Sequence, residues 1–238
     1  MNTRKGFSLV EMLVVFSIAA FLVALLTGLG AKVVRSGKEA QSISQLRQIA
    51  AAFHAYANDN NDRLPRGYSY QPGQTEVTYV TEVMPYLDEP PSPLQPKRNI
   101  FISPTSALPV PPKAAGAFIP MTYSVHGLLC PDTSNGKPQF PRSAIIRPSQ
   151  VILIGDSAQN PTSRNSFCTF KTPTAFAQSG SDKSLNEAIP VGPDSDSPAG
   201  LGHLRYRSNG SAVVAMADGH VVAMRKGSVT YGNIIADR

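Results

Sequence analysis

Apolar residues fill positions 7–30 of the chain and then thin to a periodic stripe. Phe7 to Gly30 is 24 residues long, with Glu11 as its only ionisable side chain. At about 1.5 Å of rise per residue, a helix of that length is roughly 35 Å long, enough for a bilayer core of about 30 Å. From Ala31 to Ala57 there is no proline. Ile43, Leu46, Ile49, Ala50, Phe53, Tyr56 and Ala57 recur there at spacings close to three and four, the period of an amphipathic helix with one face to cover. Gly28, Gly30 and Gly37 weaken the junction between the two halves and admit a bend. Asn58-Asp59-Asn60-Asn61-Asp62 stops the helix, and Pro65 lies beyond it.

All 21 prolines fall between Pro65 and Pro198. Proline excludes long helices and central strands, so this region reads as loops and short elements. Thr78–Leu87 predicts a short helix broken at Pro85. Ile100–Ile102, Met121–Val125 and Val151–Ile154 are strand candidates, the last a continuous apolar run and so a buried one. Thr172 to Gly202, rich in Ser, Asp, Pro and Gly, reads as a long exposed linker. Near the end, Ser211–Ala217 and His220–Met224 are β-like runs on either side of Asp218-Gly219. Asp-Gly between apolar runs predicts a two-residue type I′ hairpin turn, with positive φ at both positions.

These patterns predict an α+β protein: a long N-terminal helix, apolar all round and then amphipathic, packed on a small antiparallel head with long Pro-rich loops. The expected divisions are a leader at residues 1–6, an apolar helix at 7–30, an amphipathic stem at 31–60 and a head at 61–238 ending in a hairpin at 211–225.

Charge refines this picture at the N-terminus. Of the 22 basic residues, which with 16 acidic ones give a net charge of +6, Arg4 and Lys5 abut the apolar run. That is a positive-inside signal, placing the N-terminus in the cytoplasm and the rest outside. The remaining basic residues are scattered, with no stripe interleaved with aromatics, so no nucleic-acid partner is expected. A conventional signal peptide has a shorter apolar core and an Ala-x-Ala-like cleavage site, and neither is present. Glu11 is out of place in a mere anchor, because a carboxylate at the centre of a membrane helix costs about 2.5–3.5 kcal/mol on insertion scales. Cleavage after Gly6 would supply a partner, the α-amine of Phe7, which is cationic near neutral pH. Glu11 of one subunit would then pair with the Phe7 amine of its neighbour.

Lys5-Gly6-Phe7-Ser8-Leu9-Val10-Glu11-Met12-Leu13 resembles the N-terminal cleavage and methylation motif of type IV prepilins and type II secretion pseudopilins. The resemblance implies cleavage between Gly6 and Phe7 by a prepilin peptidase, N-methylation of Phe7, and use of Glu11 for subunit register. It also implies an inner-membrane protein with a single span, a cytoplasmic N-terminus and an extracytoplasmic head. Its partners would be the peptidase and methyltransferase, like subunits and other pilins, an assembly platform and membrane lipid. The subunit would then join a periplasmic or surface fibre. Leu46 to Pro65 is similar to the stem end of large-headed members. Ala217-Asp218-Gly219-His220-Val221 is similar to the ending of a prepilin group named for a His, nine residues and Asp-Gly. Ser208 stands where that His would be, which leaves the role of the family histidine open in this chain.

Other chemistry is thin. Cys130 and Cys168 fit either a disulfide formed on export or two buried thiols. No Cys/His cluster indicates zinc. No cofactor is expected; a calcium ion in the head, as the G-type pseudopilins use, would need six to eight oxygens that this sequence does not identify. His54, His126, His203 and His220 stand near no hydrolase, zincin or phosphate-loop signature. Asp156, Asp218 and His220 are the residues that would have to meet in a catalytic reading, but Asp218 is explained by its turn, so no enzyme is expected. The rival function is a membrane-anchored binding module that never polymerises.

Overall fold

The computed structural model describes residues 8–88, 99–109, 119–171 and 183–237, without the side chains of residues 25–29 and 31. Two compact units divide the chain, Met1–Lys38 and Glu39–Arg238.

One helix, α1, runs over Leu9–Asp59 and passes through Gly28, Gly30 and Gly37 without a break. In the first unit its large apolar side chains are exposed, among them Leu9, Val10, Leu13, Phe16 and Phe21. Among the described residues no helix is long and apolar enough to cross a membrane.

In the second unit the amphipathic stripe of α1 is covered. Leu46, Ile49, Ala50, Phe53 and Ala57 are buried, at spacings of three, one, three and four residues that keep them on one face. Full burial of a Leu, Ile or Phe contributes about 1.5–3 kcal/mol, so this face is a main source of head stability. The helix ends through Asn61 and Asp62, both in the left-handed region (φ 52° and 61°), with the Asp62 N–H donating to the Ala57 carbonyl at 2.9 Å. Short polar side chains tolerate that conformation, which is why the Asn/Asp run is a stop.

The head is a two-stranded and a four-stranded antiparallel sheet. β1 (Tyr68–Ser69) pairs with β2 (Val77–Thr78). Thr78 then caps α2 (Tyr79–Val83) through a reciprocal capping box with Thr81, and a 3-10 turn at Met84–Tyr86 accommodates Pro85. The larger sheet is a meander in the order β3 (Tyr123–Val125), β4 (Ile152–Asp156), β5 (Ser211–Met216), β6 (Val221–Arg225). All five residues of β4 are buried, because both faces of the sheet are covered. Side chains of β5 alternate between two cores. Val213 and Ala215 join the α1 face with Phe53, Tyr79 and Phe101, while Ala212, Val214 and Met216 join Phe170, Leu204 and Ile234 on the other.

Three expectations change. Ile100–Ile102 is a turn, not a strand, because Asn99 Oδ1 accepts from the Phe101 N–H at 2.9 Å while its amide donates to the Pro120 carbonyl, an Asx turn that removes ladder partners. The described part of 172–202 is not a solvated linker: Ile189 and Gly200 are buried and Asp194 and Asp196 are ion-paired. The hairpin turn differs as well. The Gly219 N–H donates to the Met216 carbonyl (2.9 Å) and the Met216 N–H to the His220 carbonyl (2.8 Å), enclosing three residues, of which only Gly219 has positive φ (94°). This is the three-residue loop closed by a left-handed glycine, not type I′. Positive φ at two successive residues occurs instead at Asn209-Gly210 (52° and 75°), where Ser208 and Ser211 exchange backbone hydrogen bonds of 3.0 and 2.9 Å.

Candidate functional site

Gly6 and Phe7, the residues on either side of the expected cleavage, lie outside the described residues. Glu11 is in the first turn of α1, and its Oε2 accepts from the Ser8 N–H at 2.9 Å. Ser8-Leu9-Val10-Glu11 thus forms the acidic half of a capping box, satisfying one of the N–H groups that a helix start leaves without a partner. The carboxylate is exposed, beside a helix surface of exposed apolar side chains.

At the other end of the chain, the Asp218-Gly219 loop packs on the stem helix. His54, on α1, faces this loop, and a Cβ built on Gly219 would lie 3.5 Å from its Nε2. Burial and then the nearby Arg142 lower the pKa of His54, partly offset by Asp218. Asp218 and His220 do meet, with Oδ1 2.7 Å from Nδ1 in an exposed turn. Asp156 does not join them.

Asp156 belongs to a buried ionic cluster that sequence reasoning missed. It ends β4 fully buried, its Oδ2 accepting from the Val213 N–H at 3.3 Å. Burial raises its pKa, and Arg207 opposes that rise. Arg207 Nη2 donates to Asp196 Oδ1 at 2.5 Å while its Nη1 lies 4.0 Å from Asp156 Oδ1. Arg205 pairs with Asp194, and Lys226 reaches Asp194 Oδ2 at 3.1 Å. Ser208, at the position of the family histidine, is buried and follows Arg207 in sequence, and among the described residues its hydroxyl has no hydrogen-bond partner. A signal was available: Asp194-Ser195-Asp196 and Arg205-Tyr206-Arg207 carry opposite charges at the same two-residue spacing.

His126 is fully buried. Its Nε2 is 2.7 Å from the Ile234 carbonyl, and Nδ1 accepts from the Leu128 N–H at 3.1 Å. The ring therefore ties the C-terminal segment to the loop after β3 in its neutral, Nε2-protonated form, and burial lowers its pKa to about 4. Cys130 is a buried free thiol and Cys168 a half-buried one, both at the α1-side core. Among the described residues no group of three or more His, Cys, Asp or Glu side chains is placed to hold a metal ion.

Residues 1–27 match the family described as the prokaryotic N-terminal methylation motif. No curated protein and no solved structure matches the chain. The chain therefore carries a methylation motif consistent with a prepilin- or pseudopilin-type protein, followed by an α+β head.

Proposed function

We propose that this protein is a structural, non-catalytic subunit of a type IV pilus-like or type II secretion pseudopilus fibre. The observation that carries the reading is the methylation motif at residues 1–27, whose Glu11 sits exposed on an apolar helix start. Prepilin peptidase cuts after Gly6, and the methyltransferase modifies Phe7 with its positive charge retained. The Phe7–Gly30 segment anchors the subunit in the inner membrane until the assembly platform draws it into a fibre. Exposed apolar side chains of α1 support this, because they need either lipid or neighbouring helices around them. Lipid is as apolar as protein, so packing alone gives assembly little drive. The Glu11–Phe7 ammonium pair supplies register in a low-dielectric seam, where each charge is costly without the other.

The test is the mature N-terminus. Intact mass from cells holding the peptidase should show loss of residues 1–6 and one added methyl group; a retained Met1 rejects the proposal. Glu11→Ala should abolish fibres seen by electron microscopy while leaving head stability within about 0.5 kcal/mol, as for a surface substitution. Undiminished fibres would remove Glu11 from assembly.

A further inference from the structure

One cleft in the head has a composition that the fibre role does not use. It encloses about 260 Å³ between β1–β2 and the segment that extends the large sheet beyond β3. Both walls are held by backbone hydrogen bonds. The Thr133 N–H donates to the Tyr68 carbonyl on one side, and the Phe170 N–H donates to Val125 on the other, each at 2.9 Å. The walls converge at Gly67, where any Cβ would overlap the Cys130 carbonyl oxygen and Thr169 Cγ2. The cleft is thus preformed, as binding sites usually are.

Its lining combines aromatic surface with two carboxylates. Tyr68, Phe167 and Cys168 supply apolar wall, and Glu76 and Asp132 supply negative charge. Lys171 is the cation among the lining residues, and its Nζ is 4.4 Å from the centre of the Phe167 ring, occupied by a cation–π contact. Burial and then Glu76 push both the Tyr68 phenol and the Cys168 thiol up to about 12, with Asp132 adding to each. Two lining carboxylates against one lysine already engaged by an aromatic ring leave the cleft with an excess of negative charge, which favours a cation.

We propose that this cleft binds an amphipathic cation, an ammonium or guanidinium on a short apolar stem, as presented by a lysine or arginine side chain of a partner polypeptide. The stem lies along Tyr68 and Phe167, and the head group meets Glu76 and Asp132. A volume of about 260 Å³ accommodates one such side chain and not a folded segment. This site is independent of cleavage, methylation and fibre formation.

The test is calorimetric titration of the full-length protein in detergent with Nα-acetyl-arginine methylamide. The neutral citrulline analogue serves as control for shape. Saturable one-to-one binding of the arginine probe, at least ten-fold tighter than the citrulline probe, is expected. Glu76→Gln with Asp132→Asn should weaken it ten-fold or more, and both amides retain the hydrogen-bonding shape of the acids. Lys171→Gln should tighten it, because a competing cation is removed. This opposite shift guards against a variant that merely unfolds. Absence of saturable binding, equal binding of the two probes, or Lys171→Gln leaving affinity unchanged or weaker would overturn the site.

Discussion

Arg207 Nη1 and Asp156 Oδ1 face each other at 4.0 Å inside the head, with the Arg207 side chain 5% exposed and that of Asp156 fully enclosed. Among the described residues neither atom has a hydrogen-bond partner. At that depth the pair is held as much by the penalty of separating it as by its attraction. Arg207→Ala strands Asp156 and deprives Asp196 of its closest cation, and should cost about 3–5 kcal/mol. Asp156→Asn leaves Arg207 still paired with Asp196 and should cost less. Urea midpoints of the two variants rank them; an Arg207→Ala midpoint within error of wild type would mean that the pair does not hold the head together.

His126 makes stability fall in acid. Above pH about 6.5 the ring is neutral in both folded and unfolded chains. Between about 6.5 and the folded value of about 4, only the unfolded chain binds the proton. Stability contributed by the neutral ring is therefore intact above 6.5 and lost progressively as pH drops to 4, amounting to roughly 3 kcal/mol over that interval. His54 adds in the same direction. Replacing His126 by Gln should lower stability at neutral pH yet flatten its slope between pH 6.5 and 4, measured by denaturant unfolding at a series of pH values. An unchanged slope would assign the acid sensitivity elsewhere.

Two glycines separate close packing from backbone conformation. At Gly219 (φ 94°) an added Cβ would find only the His54 ring at ordinary contact distance, so Gly219→Ala should lose about 1–2 kcal/mol through left-handed strain. At Gly67 the Cβ would meet backbone, the Cys130 carbonyl, which cannot swing aside. Gly67→Ala should therefore be the worse variant in thermal melts. The reverse order would show that β1 shifts easily.

The thiols give a direct chemical readout. Burial raises the pKa of Cys130 well above its usual value and that of Cys168 to about 12, in the latter case with help from Glu76. The thiolate is the reactive form, so native protein at pH 7.5 should take up alkylating reagent slowly, and Cys168 before the fully buried Cys130. Denatured without reductant, the chain should accept two labels by mass. Finding none would establish a Cys130–Cys168 bridge.

What the sequence determined by itself was local. The helix, its covered face at Leu46 to Ala57, its stop at the Asn/Asp run, the short α2 before Pro85 and the final pair of strands all follow from periodicity or from one residue's backbone preference, which neighbours in sequence suffice to express. The methylation motif is equally local, being one contiguous stretch within residues 1–27. Tertiary structure decided what depends on distant segments meeting. Asp194 and Asp196 looked like linker residues until Arg205 and Arg207 lay opposite them, and Asp156 acquired its partner from 51 positions away. The cleft beside Gly67 likewise exists only because residues from three separate stretches converge. Even the turns obey this division. Asn209-Gly210 and Asp218-Gly219 are similar dipeptides, yet the pairing of Ser208 with Ser211 makes the first a two-residue turn, and the register of β5 against β6 makes the second a three-residue loop.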